Sequence, residues 1–133
     1  MKVVFVGMHF KPDCEALDSK TVSGKMIDKI IEQVQSGCNY DENYPMCIKT
    51  NMCQTEKLPI FISDINVEAK SWHRLNYLST GDVVVLLGKW VQKHFLKNRR
   101  LRYVEINHPA SVYKKEDKVL YIENAVKEIK KHF

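Results

Sequence analysis

The chain holds 133 residues, with 21 lysines and arginines against 16 acids for a formal charge of +5. That length predicts one domain over residues 1–133, and 44% hydrophobic with 28% charged residues excludes a disordered or fibrous chain. No apolar run approaches the ~20 residues of a bilayer span, and Gly7 interrupts the opening apolar run too early for a signal peptide, so a soluble, cytoplasmic protein without membrane contact is expected.

Residues 2–6, Lys-Val-Val-Phe-Val, form a β-branched run closed by Gly7 and predict a buried strand. After a polar loop, Ser23 precedes Met26, Ile27, Ile30, Ile31 and Val34, the spacing of one helix face, and Gly37 is the natural stop. Residues 37–45, rich in Gly, Asn, Asp and Pro, predict a surface loop, and residues 46–50 a second strand ending at Asn51. A helix follows over residues 66–78, with Val67, Trp72, Leu75 and Leu78 inward. Gly81-Asp82 breaks it before Val83-Val84-Val85-Leu86-Leu87, the clearest buried strand of the sequence. Trp90, Val91, Phe95 and Leu96 predict a helix over residues 89–97. Residues 103–106 then read as a fourth strand, and residues 116–133 as a final amphipathic helix built on Ile122, Ala125, Val126, Ile129 and Phe133. The alternation predicts an α/β fold, a small parallel sheet with helices on both faces, because parallel neighbours need a crossover and crossovers are usually helical.

Charge is unevenly placed along this chain. Residues 1–45 carry five lysines against seven acids, and residues 46–133 carry 16 bases against nine acids. The densest basic stretch runs from Lys89 through Lys93, Lys97, Arg99 and Arg100 to Arg102, with a second cluster at Lys114, Lys115 and Lys118. A polyanion such as nucleic acid is one explanation and a solvated surface the other. Cys14, Cys38, Cys47 and Cys53 form no C-x-x-C pair and match no common zinc or iron–sulfur spacing. They read as free thiols, and neither a metal nor a cofactor is expected.

In such sheets the ligand site lies beyond the carboxyl ends of the strands. Those ends read Gly7-Met8-His9-Phe10-Lys11-Pro12, Thr50-Asn51, Leu87-Gly88-Lys89 and Asn107-His108-Pro109-Ala110-Ser111, so polar residues, Gly and Pro converge on one rim. No G-x-G-x-x-G is present, which counts against a dinucleotide cofactor. In this order, and with Ser23-Gly24-Lys25 opening the first helix, the motifs resemble those of the uracil-DNA glycosylase superfamily over nearly the whole chain. The resemblance implies a three-layer αβα fold with a four-stranded parallel sheet of order 2-1-3-4, acting as a monomer on single- or double-stranded DNA or on a nucleotide.

It also implies roles. His108 would hold the base oxygen as the base departs, and Asn51, with both a donor and an acceptor, would read the base edge. Gly7, Met8 and Ser23 would line the pocket. Many members have Asp or Asn two residues after the Gly; this chain has His9, to which the water-activating role then falls, with Asp13 and Asp18 as substitutes. Thr21-Val22 stand where the family's stacking aromatic is usual, and Phe10 is expected to supply that face. Val112 or Tyr113 would wedge into the duplex, while Ser111, Lys114, Lys115 and Lys89 hold phosphates. Hydrolysis of the N-glycosidic bond of a flipped uracil or modified base is the leading expectation. An inactive nucleobase- or nucleotide-binding protein on the same fold is the second, and an unrelated small Rossmann-like enzyme acting on a nucleotide or sugar phosphate the third.

Overall fold

The four apolar runs become the strands of one parallel sheet. In a computed structural model, which describes residues 1–8, 14–52 and 78–133, they are β1 (Lys2–Gly7), β2 (Met46–Asn51), β3 (Val83–Leu87) and β4 (Arg102–Ile106). The strand order is β2-β1-β3-β4, and every neighbouring pair is parallel. β1, β2 and β4 each run one residue beyond the predicted span, because the ladder carries pairing out to Gly7 opposite Asn51 and to Arg102 opposite Val83.

Parallel strands cannot be joined by tight turns, and the helices among the described residues follow β1, β3 and β4. They are α1 (Val22–Gln35), between β1 and β2; α2 (Lys89–His94), between β3 and β4; and α3 (Lys115–Lys130), after β4. α1 is capped at Thr21 rather than beginning at Ser23: Thr21 has extended backbone and its Oγ1 accepts the Gly24 amide at 2.9 Å. α2 stops at His94, three residues short of expectation. Phe95 leaves the helical conformation so that its ring can pack edge-on to Tyr103 at 6.0 Å, and Leu96, counted on the predicted helix, is exposed. α3 opens with Glu116 and Asp117, carboxylates favourable at a helix amino end, and ends at Lys130, ahead of the predicted terminus. The helix expected over residues 66–78, with Trp72, falls outside the described residues except for Leu78.

Strand side chains alternate between two cores. Val3, Phe5, Val83, Val85, Leu87 and Val104 face α1 and α3, meeting Ile27, Ile30 and Val34 from the first and Ile122, Ala125, Val126 and Ile129 from the second. Val4, Val6, Val84 and Leu86 face the other way, onto Val91 of α2 and Phe95. Helices therefore flank the sheet on both faces. Each fully buried aliphatic or aromatic side chain contributes roughly 1.5–3 kcal/mol. The two central strands, β1 and β3, are apolar almost throughout because both of their faces are covered. No helix among the described residues is long and apolar enough to cross a membrane.

Candidate active site

A cavity of about 280 Å³ lies at the carboxyl ends of β1 and β2, between the turn into α1 and the turn after β4. Its first wall is built where β1 and β2 end side by side. Gly7 pairs with Asn51, and the Met52 amide donates to Gly7 O at 2.9 Å. A Cβ on Gly7 would sit 2.6 Å from Asn51 Oδ1, so glycine is what lets this amide lie across the end of β1. Asn51 is 3% exposed and lines the cavity, offering donor and acceptor on one planar group.

The second wall is the turn that leads into α1, and it is braced from several directions. Asp18 Oδ2 accepts the Glu15 amide at 3.0 Å and Oδ1 the Lys20 amide at 2.9 Å, while Asp18 O accepts both the Thr21 amide and Thr21 Oγ1. Lys49 of β2 reaches across, donating to Leu17 O at 3.0 Å and pairing with Asp28 of α1. Leu17 is held at φ +49°, a left-handed conformation that costs a residue with a Cβ about 1 kcal/mol. It persists because the bracing fixes it, and its side chain lines the cavity.

The bracing also decides what Asp18 can do. Hydrogen bonds from the Lys20 and Glu15 amides hold its carboxyl below the ordinary 3.8. An acceptor so occupied makes a poor proton acceptor, and Asp18 serves as the turn's fastener rather than a substitute for His9. Burial alone would raise the Asp28 carboxyl, but hydrogen bonds from Lys49 and Ser19 outweigh it and hold it low as well. A carboxylate with a depressed folded value lends stability above its unfolded value and loses it as pH falls through the folded one. The melting temperature is accordingly expected to fall as pH drops below about 4. Asp18→Asn should lower it at neutral pH and flatten part of that decline; a decline identical to the wild type's would contradict the fastener role.

The third wall carries His108. Gln92 Nε2 donates to Leu86 O at 3.2 Å and to Ile106 O at 2.9 Å, buckling the ends of β3 and β4 together, and Tyr121 Oη donates to Asn107 O. His108 then opens a 3-10 turn, Pro109–Ser111. Its Nδ1 accepts the Ala110 amide at 3.1 Å, and its carbonyl accepts Ser111 Oγ at 2.7 Å. A ring nitrogen that accepts from an amide carries no proton. With Nδ1 accepting, Nε2 is the ring position that can donate at this half-buried cavity wall.

Five of the expected residues, Gly7, Met8, Ser23, Asn51 and His108, line this one cavity. His9 and Phe10, with Lys11, Pro12 and Asp13, lie outside the described residues, as does Cys53. Lys89 opens α2 directly beyond the end of β3, and Ser111, Val112, Tyr113, Lys114 and Lys115 follow the His108 turn; they sit on the same rim but do not line the cavity. Tyr113 is 84% exposed, whereas Val112 is half-buried. The hydroxyl proton of Ser111 is engaged by His108 O.

The structure adds residues that sequence reasoning passed over: Cys14, Glu15, Leu17, Thr21 and Ala110 also line the cavity. Thr21 had a signal, a capping residue ahead of the periodic run. Glu15 had none beyond falling in the loop after β1. It is the more consequential, since its carboxylate makes no ion pair or hydrogen bond among the described residues. Cys14, Cys38 and Cys47 are free thiols, and the Cys47 thiol is pushed up to about 12 by burial and by neighbouring Cys38, so it stays protonated at neutral pH. No His, Cys, Asp and Glu cluster suited to a metal ion occurs among the described residues.

The basic stretch is divided by the sheet. Lys89, Lys114 and Lys115 stand on the cavity rim, but Arg100 O accepts the Gly81 amide and Arg102 is paired with Val83 at the start of β3. The arginines therefore lie at the amino ends of the strands, opposite the cavity. No protein-family model matches the chain, and no curated protein matches it at a significant level.

Proposed function

We propose that this protein binds a nucleobase swung out of DNA and hydrolyses its N-glycosidic bond, as a small member of the uracil-DNA glycosylase superfamily. The observation that carries the reading is the pairing of His108, whose Nε2 can donate, with the buried amide of Asn51 in one cavity at the carboxyl ends of a 2-1-3-4 parallel sheet. Asn51 would hold the edge of the base through its donor and acceptor. As the bond from the sugar carbon to the base nitrogen breaks, its electron pair moves onto the base, and His108 Nε2–H would stabilise the charge developing on the base oxygen. The sugar is left as an electron-poor oxocarbenium, which water attacks, giving free base and an abasic site. Among the described residues Glu15 supplies the unengaged carboxylate that can orient that water and take its proton.

The test uses single- and double-stranded oligonucleotides carrying uracil, hydroxymethyluracil or hypoxanthine at one position, incubated with the protein and then treated with alkali to break abasic sites. Strand scission at the altered base is expected on at least one of them. Retained binding with no scission on any would instead make the protein a nucleobase- or nucleotide-binding module on the same sheet.

A further inference from the structure

Three of the chain's four arginines fall at residues 99, 100 and 102, and neither the cavity nor its rim accounts for them. Arg99 and Arg100 occupy a turn pinned at every corner. Asn98 N donates to Tyr103 Oη at 2.6 Å, Arg100 N to Asn98 Oδ1 at 3.0 Å, Leu101 N to Asn98 O at 3.1 Å, and Gly81 N to Arg100 O at 3.0 Å. The turn is thus rigid, while the two guanidinium groups are exposed and have no ion pair or hydrogen bond among the described residues.

The acids closest to this turn are otherwise engaged, and Asp41 and Glu42, at the same end of the sheet, stand with the starts of β1 and β2. Lys97 takes Glu105 at 2.6 Å and Lys131 takes Glu128 at 2.7 Å, while the buried Asp82 carboxylate accepts the Lys2 and Ser79 amides. Arg102 Nη1 donates to His132 O at 2.9 Å, which draws the end of α3, with exposed Lys130, onto the same surface. A purely solvated loop needs no such fixed presentation of adjacent guanidinium groups. Their fork geometry suits phosphate oxygens, and a rigid backbone reduces the ordering cost of engaging them.

We infer that the Arg99-Arg100 turn, with Arg102 and Lys130, is a second, sequence-independent docking surface for the nucleic-acid phosphate backbone. Strand residues rise about 3.3 Å each, so the five of β4 place this surface roughly 15 Å or more from the cavity rim. It would grip a stretch of backbone other than the one presented to the cavity, and the inference holds whether or not the cavity carries out hydrolysis.

The test is binding to a 20-base-pair duplex of unmodified bases, followed by fluorescence anisotropy over a salt series. R99Q/R100Q is expected to reduce the slope of log K against log salt by about 1.8, two phosphate contacts at 0.9 each. R99K/R100K, which keeps both charges, should retain the slope. An unchanged slope in R99Q/R100Q would overturn the proposal. So would an acidic polypeptide that displaces the duplex at equal charge concentration from the wild type but not from R99Q/R100Q, since the patch would then belong to an acidic protein partner. The absence of base release on every modified oligonucleotide, by contrast, bears on the cavity and leaves this result standing.

Discussion

His108→Ala is expected to lower the rate of base release by about 10²–10³-fold, the usual cost of removing one donor aimed at a developing oxyanion. The loss should appear in single-turnover rates with little change in DNA affinity, because a contact made only as charge develops contributes to kcat and not to ground-state binding. His108 has a second task that could confuse the reading. Its Nδ1 caps the 3-10 turn through the Ala110 amide, and a lost cap costs about 1 kcal/mol, a few degrees in melting temperature for a domain of this size. His108→Asn separates the two tasks. Asparagine is a good capping residue and should recover the melting temperature, yet its shorter side chain lacks the Nε2 donor and should leave the rate low. Turnover unchanged in either variant would remove His108 from the chemistry.

Gly24→Ala should destabilise the protein by about 3 kcal/mol or more, the upper range for overpacking a site that cannot relax. In an ordinary helix the same change is favourable by up to about 1 kcal/mol. Here an added Cβ would lie 1.9 Å from Asp18 O, 2.4 Å from Asp18 C and 2.5 Å from Leu17 O. All three are backbone atoms, and both carbonyls are tied down, Asp18 O by Thr21 and Leu17 O by Lys49 Nζ. Relief would require the cavity's second wall to move away from α1. Against a typical total stability of 5–15 kcal/mol the loss is large, and a drop in melting temperature of roughly 10 °C is expected by circular dichroism. A melting temperature equal to or above the wild type's would show that the approach of the turn to the helix is not as tight as described.

Much of the architecture could be read from residue order. Val83–Leu87 is five apolar residues bounded by Asp82 and Gly88, which fits only a strand covered on both faces, and the α3 residues from Ile122 to Ile129 repeat at helical spacing. Local chemistry was enough for these elements. The end of α2 was not legible, because Phe95 and Leu96 both continue an apolar pattern and only the presence of Tyr103 across the core separates the buried ring from the exposed side chain. The rim motifs were similarly visible as short polar breaks after each strand. Nothing in them told which would share a wall of the cavity.

By itself the sequence determined the alternation of strands and helices, the excess of basic residues in the second half, and the placing of Gly7, Asn51, Gly88 and His108 at strand ends. Those are properties of neighbours along the chain: side-chain periodicity, turn residues and charge counts. The tertiary structure decided how they combine. Strand pairing brought Gly7 against Asn51, 44 positions apart in the chain, and a backbone amide two residues away left Nε2 as the ring position of His108 that can donate. The turn into α1 committed Asp18 to backbone amides and left Glu15 on the cavity wall, its carboxylate unengaged among the described residues. The sheet also placed Lys89, Lys114 and Lys115 beside the cavity and Arg99, Arg100 and Arg102 at the other end, because residues before a strand and residues after it emerge at opposite ends of a parallel sheet, however close they are in sequence.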